Sequence, residues 1–244
     1  MESDYSEYIL TESVERIDEI LDSDDADYEE KDEVPSRESL TFTNGFYVNC
    51  SALFVDMRGS IKLSEKHNNP TLAKIYRSYI SELVALFRGN EKIKEISIEG
   101  DCVWGVFDTP KKRDIDAVFA TGFSASSLVD ILNYKYAKRG ISQISVGIGA
   151  AWGRALMIKA GYKNSGVNEV TWMGILVAEA AKLCSHGNRQ YYDNEIMVSK
   201  VFYQNLNDNN KKLLSYHAAY DCYHGNVVQT GMNNWLEEQK KWNT

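Results

Sequence analysis

Two aspartates stand at the ends of short apolar runs. Asp56 follows Leu53-Phe54-Val55 and leads into Met57-Arg58-Gly59-Ser60. Asp101 follows Ile96-Ser97-Ile98-Glu99-Gly100 and leads into Cys102-Val103-Trp104-Gly105. Strands whose register is pinned by buried apolar residues can hold two carboxylates a few ångströms apart. Hard oxygen ligands of that kind suit Mg²⁺ or Mn²⁺, above all when phosphate oxygens complete the shell. A pair of cations so held, two per site, suits phosphoryl transfer: one activates an attacking hydroxyl, the other neutralises the leaving phosphates. The Met57 carbonyl is a candidate third ligand, and the backbone N–H groups of Arg58, Gly59 and Ser60 at a helix start suit phosphate. Taken singly, Asp56 could be a helix cap and Asp101 a turn residue. It is their occurrence together, in the same relation to a strand, that points to a site.

The elements that must position them follow from periodicity. Phe46 to Val55 reads as a strand, and Ser60 can cap a helix opening at Ile61. Leu72, Ile75, Tyr76, Tyr79, Ile80, Leu83, Val84 and Phe87 form a wide apolar stripe at helical spacing, which Gly89 stops. Residues 93–98 and 102–107 make a hairpin around Gly100-Asp101. A second long helix covers about 115–138, a strand covers Ile144-Val146-Ile148, and another covers 155–158. Residues 169–174 precede a helix through Leu176, Ala180 and Leu183. The order β-α-β-β-α-β predicts an α+β, ferredoxin-like core: a largely antiparallel sheet flanked by helices.

Three regions are expected: an acidic arm over 1–38, a catalytic domain over 39–230 and a helical tail over 231–244. In the arm, Leu10, Val14, Ile17 and Leu21 fall at helical spacing, and the acidic run from Asp22 to Glu33 reads as a solvated linker. The chain has 244 residues, 43% hydrophobic and 25% charged, ordinary for a globular protein. A formal net charge of −8 argues against nucleic acid as a partner, though not against one nucleotide held with cations. No apolar run reaches the roughly 18–20 residues of a membrane span, and the acidic N-terminus is unlike an export signal. A cytoplasmic protein is expected. Cys50, Cys102, Cys184 and Cys222 are scattered and read as free thiols; the four histidines show no metal-ligand spacing.

Four stretches together carry a family resemblance. They are Phe54-Val55-Asp56-Met57-Arg58-Gly59-Ser60, Ile98-Glu99-Gly100-Asp101, Val146-Gly147-Ile148-Gly149-Ala150-Ala151-Trp152-Gly153, and Gly174 followed by Val177-Ala178-Glu179-Ala180-Ala181-Lys182-Leu183. Their order and gaps, over about residues 44–200, resemble a class III nucleotide cyclase homology domain. The resemblance implies that Asp56 and Asp101 bind two metal ions, and that a ribose 3′-hydroxyl attacks the α-phosphate to give a 3′,5′-cyclic nucleotide and pyrophosphate. It implies a homodimer whose sites are built from both subunits, with Lys182 reaching in from the partner. It also implies departures. Ser97 stands where purine cyclases have a base-reading lysine, Ala178 where an asparagine orients the ribose, and Lys182 where an arginine steadies the transition state. Glu169 aligns with the acidic base-reading partner, and Trp172 or Phe54 is a candidate wall for the base.

This pattern is similar to the bacterial Pycsar pyrimidine cyclases, which answer phage infection with a cyclic nucleotide that activates an effector. A pyrimidine nucleoside triphosphate is then the expected substrate. A carboxylate accepts from the cytosine N4 amino group and repels the uracil O4, so Glu169, if it faces the base, favours CTP over UTP. A purine cyclase, and a dead cyclase domain used for nucleotide sensing or dimerisation, are the rivals. A diguanylate cyclase is set aside because the hairpin lacks that family's Gly-Gly-(Asp/Glu)-Glu-Phe signature.

Overall fold

A computed structural model of the chain describes residues 5–24, 27–163 and 165–241. The chain forms two compact units. The larger holds residues 50–153 and the chain from 176 on; the smaller holds the chain up to residue 49 together with 154–175.

The larger unit begins within β2 (Gly45–Met57), continues through α2 (Ser60–Lys66) and α3 (Asn69–Arg88), and reaches the hairpin β3 (Ile93–Glu99) and β4 (Cys102–Asp108). Then come α4 (Lys112–Ala137) and the first half of β5 (Val146–Gly161). The strand order runs β3-β4-β2-β5, which is the ferredoxin-like arrangement the element order predicts. β2 pairs with β4, and β3 with β4, in antiparallel fashion. After α5 (Ile175–His186) the sheet is extended by β7 (Ile196–Val198), β9 (Cys222–Gly225) and β8 (Ser215–His217), with β7 parallel to β5. Two short helices, α6 (Lys200–Asn205) and α7 (Asp208–Lys211), link β7 to β8.

Local chemistry sets these boundaries. Asn68 caps α3 by accepting from the Thr71 amide at 3.0 Å, and Pro70 sits in the first turn where its missing N–H costs nothing. Gly59, at φ 68, is the residue before α2, so Ser60 is the first helical residue and not the cap. At the hairpin, Glu99 and Cys102 pair, leaving Gly100-Asp101 as a two-residue turn with Gly100 at φ 65. Glycine takes that conformation without the steric penalty a side chain brings.

One sheet face is the core. Leu53, Val55 and Met57 of β2 and Val103 and Phe107 of β4 point into it, against Ile75, Tyr79, Leu83 and Phe87 of α3 and Val118, Phe119 and Leu128 of α4. Fully burying each such side chain is worth about 1.5–3 kcal/mol. Helix α4 is long and apolar enough to cross a membrane by length and composition, but 61% of its most apolar stretch is buried inside the protein. The other face carries α5. Gly147 and Gly149 of β5 let the α5 backbone approach, since a Cβ on Gly149 would collide with the Ala180 carbonyl and the Cys184 amide.

The smaller unit departs more from expectation. The acidic run holds a strand, β1 (Tyr28–Lys31), parallel to Gly45–Val48 of β2. The strands expected over 144–148 and 155–158 are one strand, the 16-residue β5. Its second half pairs with β6 (Asn168–Met173) in an antiparallel ribbon. Helix α1 (Leu10–Leu21) buries no residue. The C-terminal helix α8 covers Thr230–Lys241; Met1 to Asp4, Asp25 and Trp242 lie outside the described residues.

Candidate functional site

Alternation along β2 puts Phe54 and Asp56 on the face opposite the core. In the β2–β4 ladder, Asp56 lies directly across from Cys102 and Phe54 across from Trp104. Asp101 immediately precedes Cys102, so the two aspartates meet at one end of the sheet, where the hairpin turn comes beside the end of β2. Burial raises the Asp56 carboxyl above its ordinary pKa; the Arg58 guanidinium opposes this, and the negative charge of Asp101 adds to it. A carboxylate whose ionisation is disfavoured by burial and by a neighbouring negative charge is a place where a cation is favoured.

The donor set decides which cation. Among the described residues no group of three or more His, Cys, Asp or Glu side chains could hold a metal by itself. The thiol opposite Asp56, Cys102, is pushed far above its usual range by burial, which disfavours the thiolate that a soft metal needs. What remains is oxygen: two carboxylates and backbone carbonyls. That fits Mg²⁺ or Mn²⁺ completed by phosphate oxygens, and does not fit a structural zinc. The Met57 side chain packs in the core, leaving its carbonyl as the group at the site.

Arg58 departs from the phosphate-binding role expected of it. Its backbone N–H donates to the Ser145 carbonyl at 2.8 Å. Its guanidinium donates to Asp56 Oδ2 at 2.7 Å, to the Gly187 carbonyl at 2.9 Å and to the Cys184 carbonyl. The side chain is only 14% exposed, against 32% for Asp56. The helix-start amides left for phosphate are those of Gly59 and Ser60.

Two residues back along the same face, the Phe54 and Trp104 rings stack with centroids 4.9 Å apart and planes within 1°. Ser97 lies across from Trp104 on β3. Glu99 accepts from the indole Nε1 at 3.0 Å and fixes the ring. Phe54 is 8% exposed beneath this stack. The flat, half-buried surface beside Ser97 is therefore Trp104. Sequence reading missed it, because only the register shows that it covers Phe54. Also missed was Arg189, whose positive charge favours the ionised form of Asp56.

Lys182 is exposed on α5, where its charge favours ionised Glu179, against the burial that raises that carboxyl's pKa. Glu169 and Trp172 belong to the smaller unit, on β6. Val170 and Trp172 are buried while Glu169, Thr171 and Met173 are exposed, so the two expected base contacts point to opposite sides of their strand. They do not form one surface within a protomer.

Comparison with known proteins agrees with this geometry. The family described as Adenylate and Guanylate cyclase catalytic domain matches residues 43–226. A protein of Gulbenkiania mobilis named "Uridylate cyclase" is 38% identical over 260 aligned positions, covering 98% of this chain and all of that one. A second "Uridylate cyclase", from Treponema porcinum, is 37% identical and covers 96% of this chain and 84% of its own. Among solved structures, the adenylyl cyclase CyaB from P. aeruginosa superposes with a TM-score of 0.61 at 21% identity, over 70% of this chain and 85% of that one. A class III adenylyl cyclase-like ATP-binding protein from Pseudomonas aeruginosa reaches 0.66 at 16% identity, over 94% of this chain and 50% of the other. At those identities the structural likeness speaks for the fold. The paired aspartates on a ferredoxin-like sheet and the match over residues 43–226 make the chain a member of the class III nucleotide cyclase family.

Proposed function

We propose that the protein is a pyrimidine nucleotide cyclase that converts UTP into 3′,5′-cyclic UMP and pyrophosphate. The ribose 3′-oxygen bonds to the α-phosphorus, the bond from that phosphorus to the bridging oxygen of the β-phosphate breaks, and the 3′-hydroxyl proton is lost. The observation that carries the reading is the meeting of Asp56 and Asp101 where β2 lies beside the β3–β4 turn. Mg²⁺ or Mn²⁺, when bound, would lower the pKa of the 3′-hydroxyl and offset charge on the leaving pyrophosphate. Asp56, Asp101 and the Met57 carbonyl would hold the two ions, and the Gly59 and Ser60 amides would hold phosphate oxygens. In a homodimer, Lys182 of one subunit would bring a positive charge to the α-phosphate in its partner's site. Lysine brings the charge without arginine's planar fork.

The choice of base rests on two supports. Both relatives that align over nearly the whole chain carry the name of a uridylate cyclase. Ser97 beside the Trp104 ring offers a small hydroxyl next to a flat wall, where a lysine would read a purine. The preference for CTP depends on Glu169 facing the base. Glu169 lies on the exposed side of β6, and with both named relatives pointing to UTP, CTP becomes the second reading. The similarity to Pycsar cyclases extends the proposal to a second messenger made in anti-phage defence and read by a separate effector. Incubating the protein with each of the four nucleoside triphosphates and Mn²⁺, with products identified by mass and by chromatography against 3′,5′ and 2′,3′ standards, tests the reading. Cyclic UMP as the dominant product is expected. Cyclic CMP as dominant product selects the second reading, and no metal-dependent turnover of any nucleotide makes the domain a sensing or dimerisation module.

A further inference from the structure

We infer that Arg58 is a positioning residue that clamps the Asp56 carboxylate to the C-terminal end of α5 and acts as its resident counter-cation until metal ions arrive; this rests on the cyclase reading above. The guanidinium is committed on three sides. Nη1 donates to Asp56 Oδ2, Nε to the Gly187 carbonyl and Nη2 to the Cys184 carbonyl. Those carbonyls lie 126 and 129 residues away in sequence, at and just beyond the end of α5, where the helix dipole attracts positive charge; the Cys184 carbonyl also accepts from the Gly187 N–H at 3.2 Å. A fork of fixed geometry can link a carboxylate to two carbonyls at once; a lysine ammonium cannot do so in one plane.

The surroundings are shaped for this clamp. A Cβ at Gly147 would overlap the Arg58 Nη2 and the Cys184 carbonyl. The Cys184 thiol donates to the Gly147 carbonyl at 3.1 Å and ties α5 to β5 a second time. Asn188, just beyond, donates to the Val146 carbonyl at 2.9 Å. The end of α5 is thus fixed to β5, and Arg58 transmits that fixed point to Asp56. One Asp56 oxygen is taken by Arg58, which fixes the carboxylate's orientation and leaves its other oxygen for a cation. Since α5 also carries Lys182, the orientation of the metal-binding carboxylate and the placement of the helix are linked through one side chain.

The inference separates two quantities that a merely structural arginine would move together. Removing the guanidinium leaves Asp56 more negative in its neighbourhood, so bare cations should bind more tightly. Removing the orientation should slow the chemical step. The test is Mn²⁺ titration of the nucleotide-free protein followed by electron paramagnetic resonance, with kcat and KM for UTP measured in parallel. Arg58→Met is expected to bind Mn²⁺ about threefold or more tightly while kcat falls by about 100-fold. Gly147→Ala, which displaces the guanidinium without removing it, should move both quantities in the same directions. Arg58→Lys should lose about tenfold or more in kcat with KM within about twofold of wild type, and it serves if the other variants fold poorly. Mn²⁺ affinity that is unchanged or weaker in Arg58→Met and Gly147→Ala at an unchanged melting temperature overturns the inference. So does a kcat for Arg58→Lys near that of wild type. A wild-type protein that cyclises no nucleotide sinks the cyclase reading instead, and the Mn²⁺ comparison still reports on Arg58.

Discussion

Two neighbouring patches of one sheet face, a proposed metal end at Asp56 and a proposed base end two residues back at Phe54, are built on opposite plans. At the metal end, Asp56, Asp101, Arg58 and Arg189 form a charged cluster, and one of its carboxylates is already held by a three-way clamp. At the base end, a short way along the same ladders, Phe54, Trp104 and Ser97 offer a stacked ring and a hydroxyl and no charge of their own. The difference separates what the reaction demands from what the substrate demands. Transfer at a triphosphate needs cations in fixed places whatever the base, so the carboxylates stay. Choice among bases rests on shape and a few hydrogen bonds, which different side chains can supply.

The comparison can be broken first at the metal end. Asp101→Asn removes half the carboxylate pair, and turnover should fall by about 1,000-fold or more, an effect of the size that follows loss of one preorganised electrostatic group. The melting temperature should stay nearly unchanged, because Asp101 sits half-exposed in a turn. At the base end a smaller and different effect is expected. Trp104→Ala removes the stacked wall, which is worth about 0.5–1.5 kcal/mol beyond its area. kcat/KM for UTP should drop by about tenfold, and the preference over ATP and GTP should narrow. If Trp104→Ala lowers all four nucleotides equally, the aromatic pair is a scaffold and not a wall for the base.

A titratable group outside both ends provides the control. Glu195 accepts from Ser126 Oγ at 2.8 Å, and burial first, then the nearby Asp130 charge, pushes its carboxyl up to about 7, against the Ser126 bond that lowers it. A folded-state pKa above the unfolded one means that the folded protein binds the proton more readily. Its contribution to stability is then complete below pH 4.5 and is lost as pH rises through about 7. Glu195→Gln should flatten that dependence and raise the melting temperature at pH 8 by about 2–4 °C or more, the shift that 1 kcal/mol produces in a chain of this size. Differential scanning calorimetry across the pH range checks this, and UTP turnover near pH 6 should be unaffected. Smallest of all is Glu169→Gln. With its side chain on the exposed side of β6, UTP kcat/KM should change by less than about threefold; a switch of preference between UTP and CTP would restore that carboxylate as a base contact.

The parts that were legible in the sequence are those with local signals. Asn68-Pro70 announces the start of α3, the stripe through Ile75, Tyr79, Leu83 and Phe87 announces its inner face, and Gly100 announces the turn that presents Asp101. The paired aspartates were legible because each ends a run of strand-forming residues. What was not legible depends on register or on distant partners. That Trp104 covers Phe54 follows only from which residue of β4 lies opposite which of β2. Arg58 looked like a phosphate ligand because its carbonyl partners lie 126 and 129 residues away. Strand β1 was hidden in the acidic run because three of its four residues are exposed, so it carries no apolar alternation. One relation could be read from spacing alone: Glu169 and Trp172 are three apart, and on a strand an odd spacing puts two side chains on opposite faces.

The claim on which the rest depends is that Asp56 and Asp101 share a pair of cations under a triphosphate. Counting bound Mn²⁺ by electron paramagnetic resonance, in the presence of a UTP analogue that cannot cyclise for want of a 3′-hydroxyl, addresses it directly. The account predicts two ions per site in the wild-type protein and fewer than two in Asp101→Asn. Two ions retained in the variant, or none bound at this site in the wild type, would contradict it.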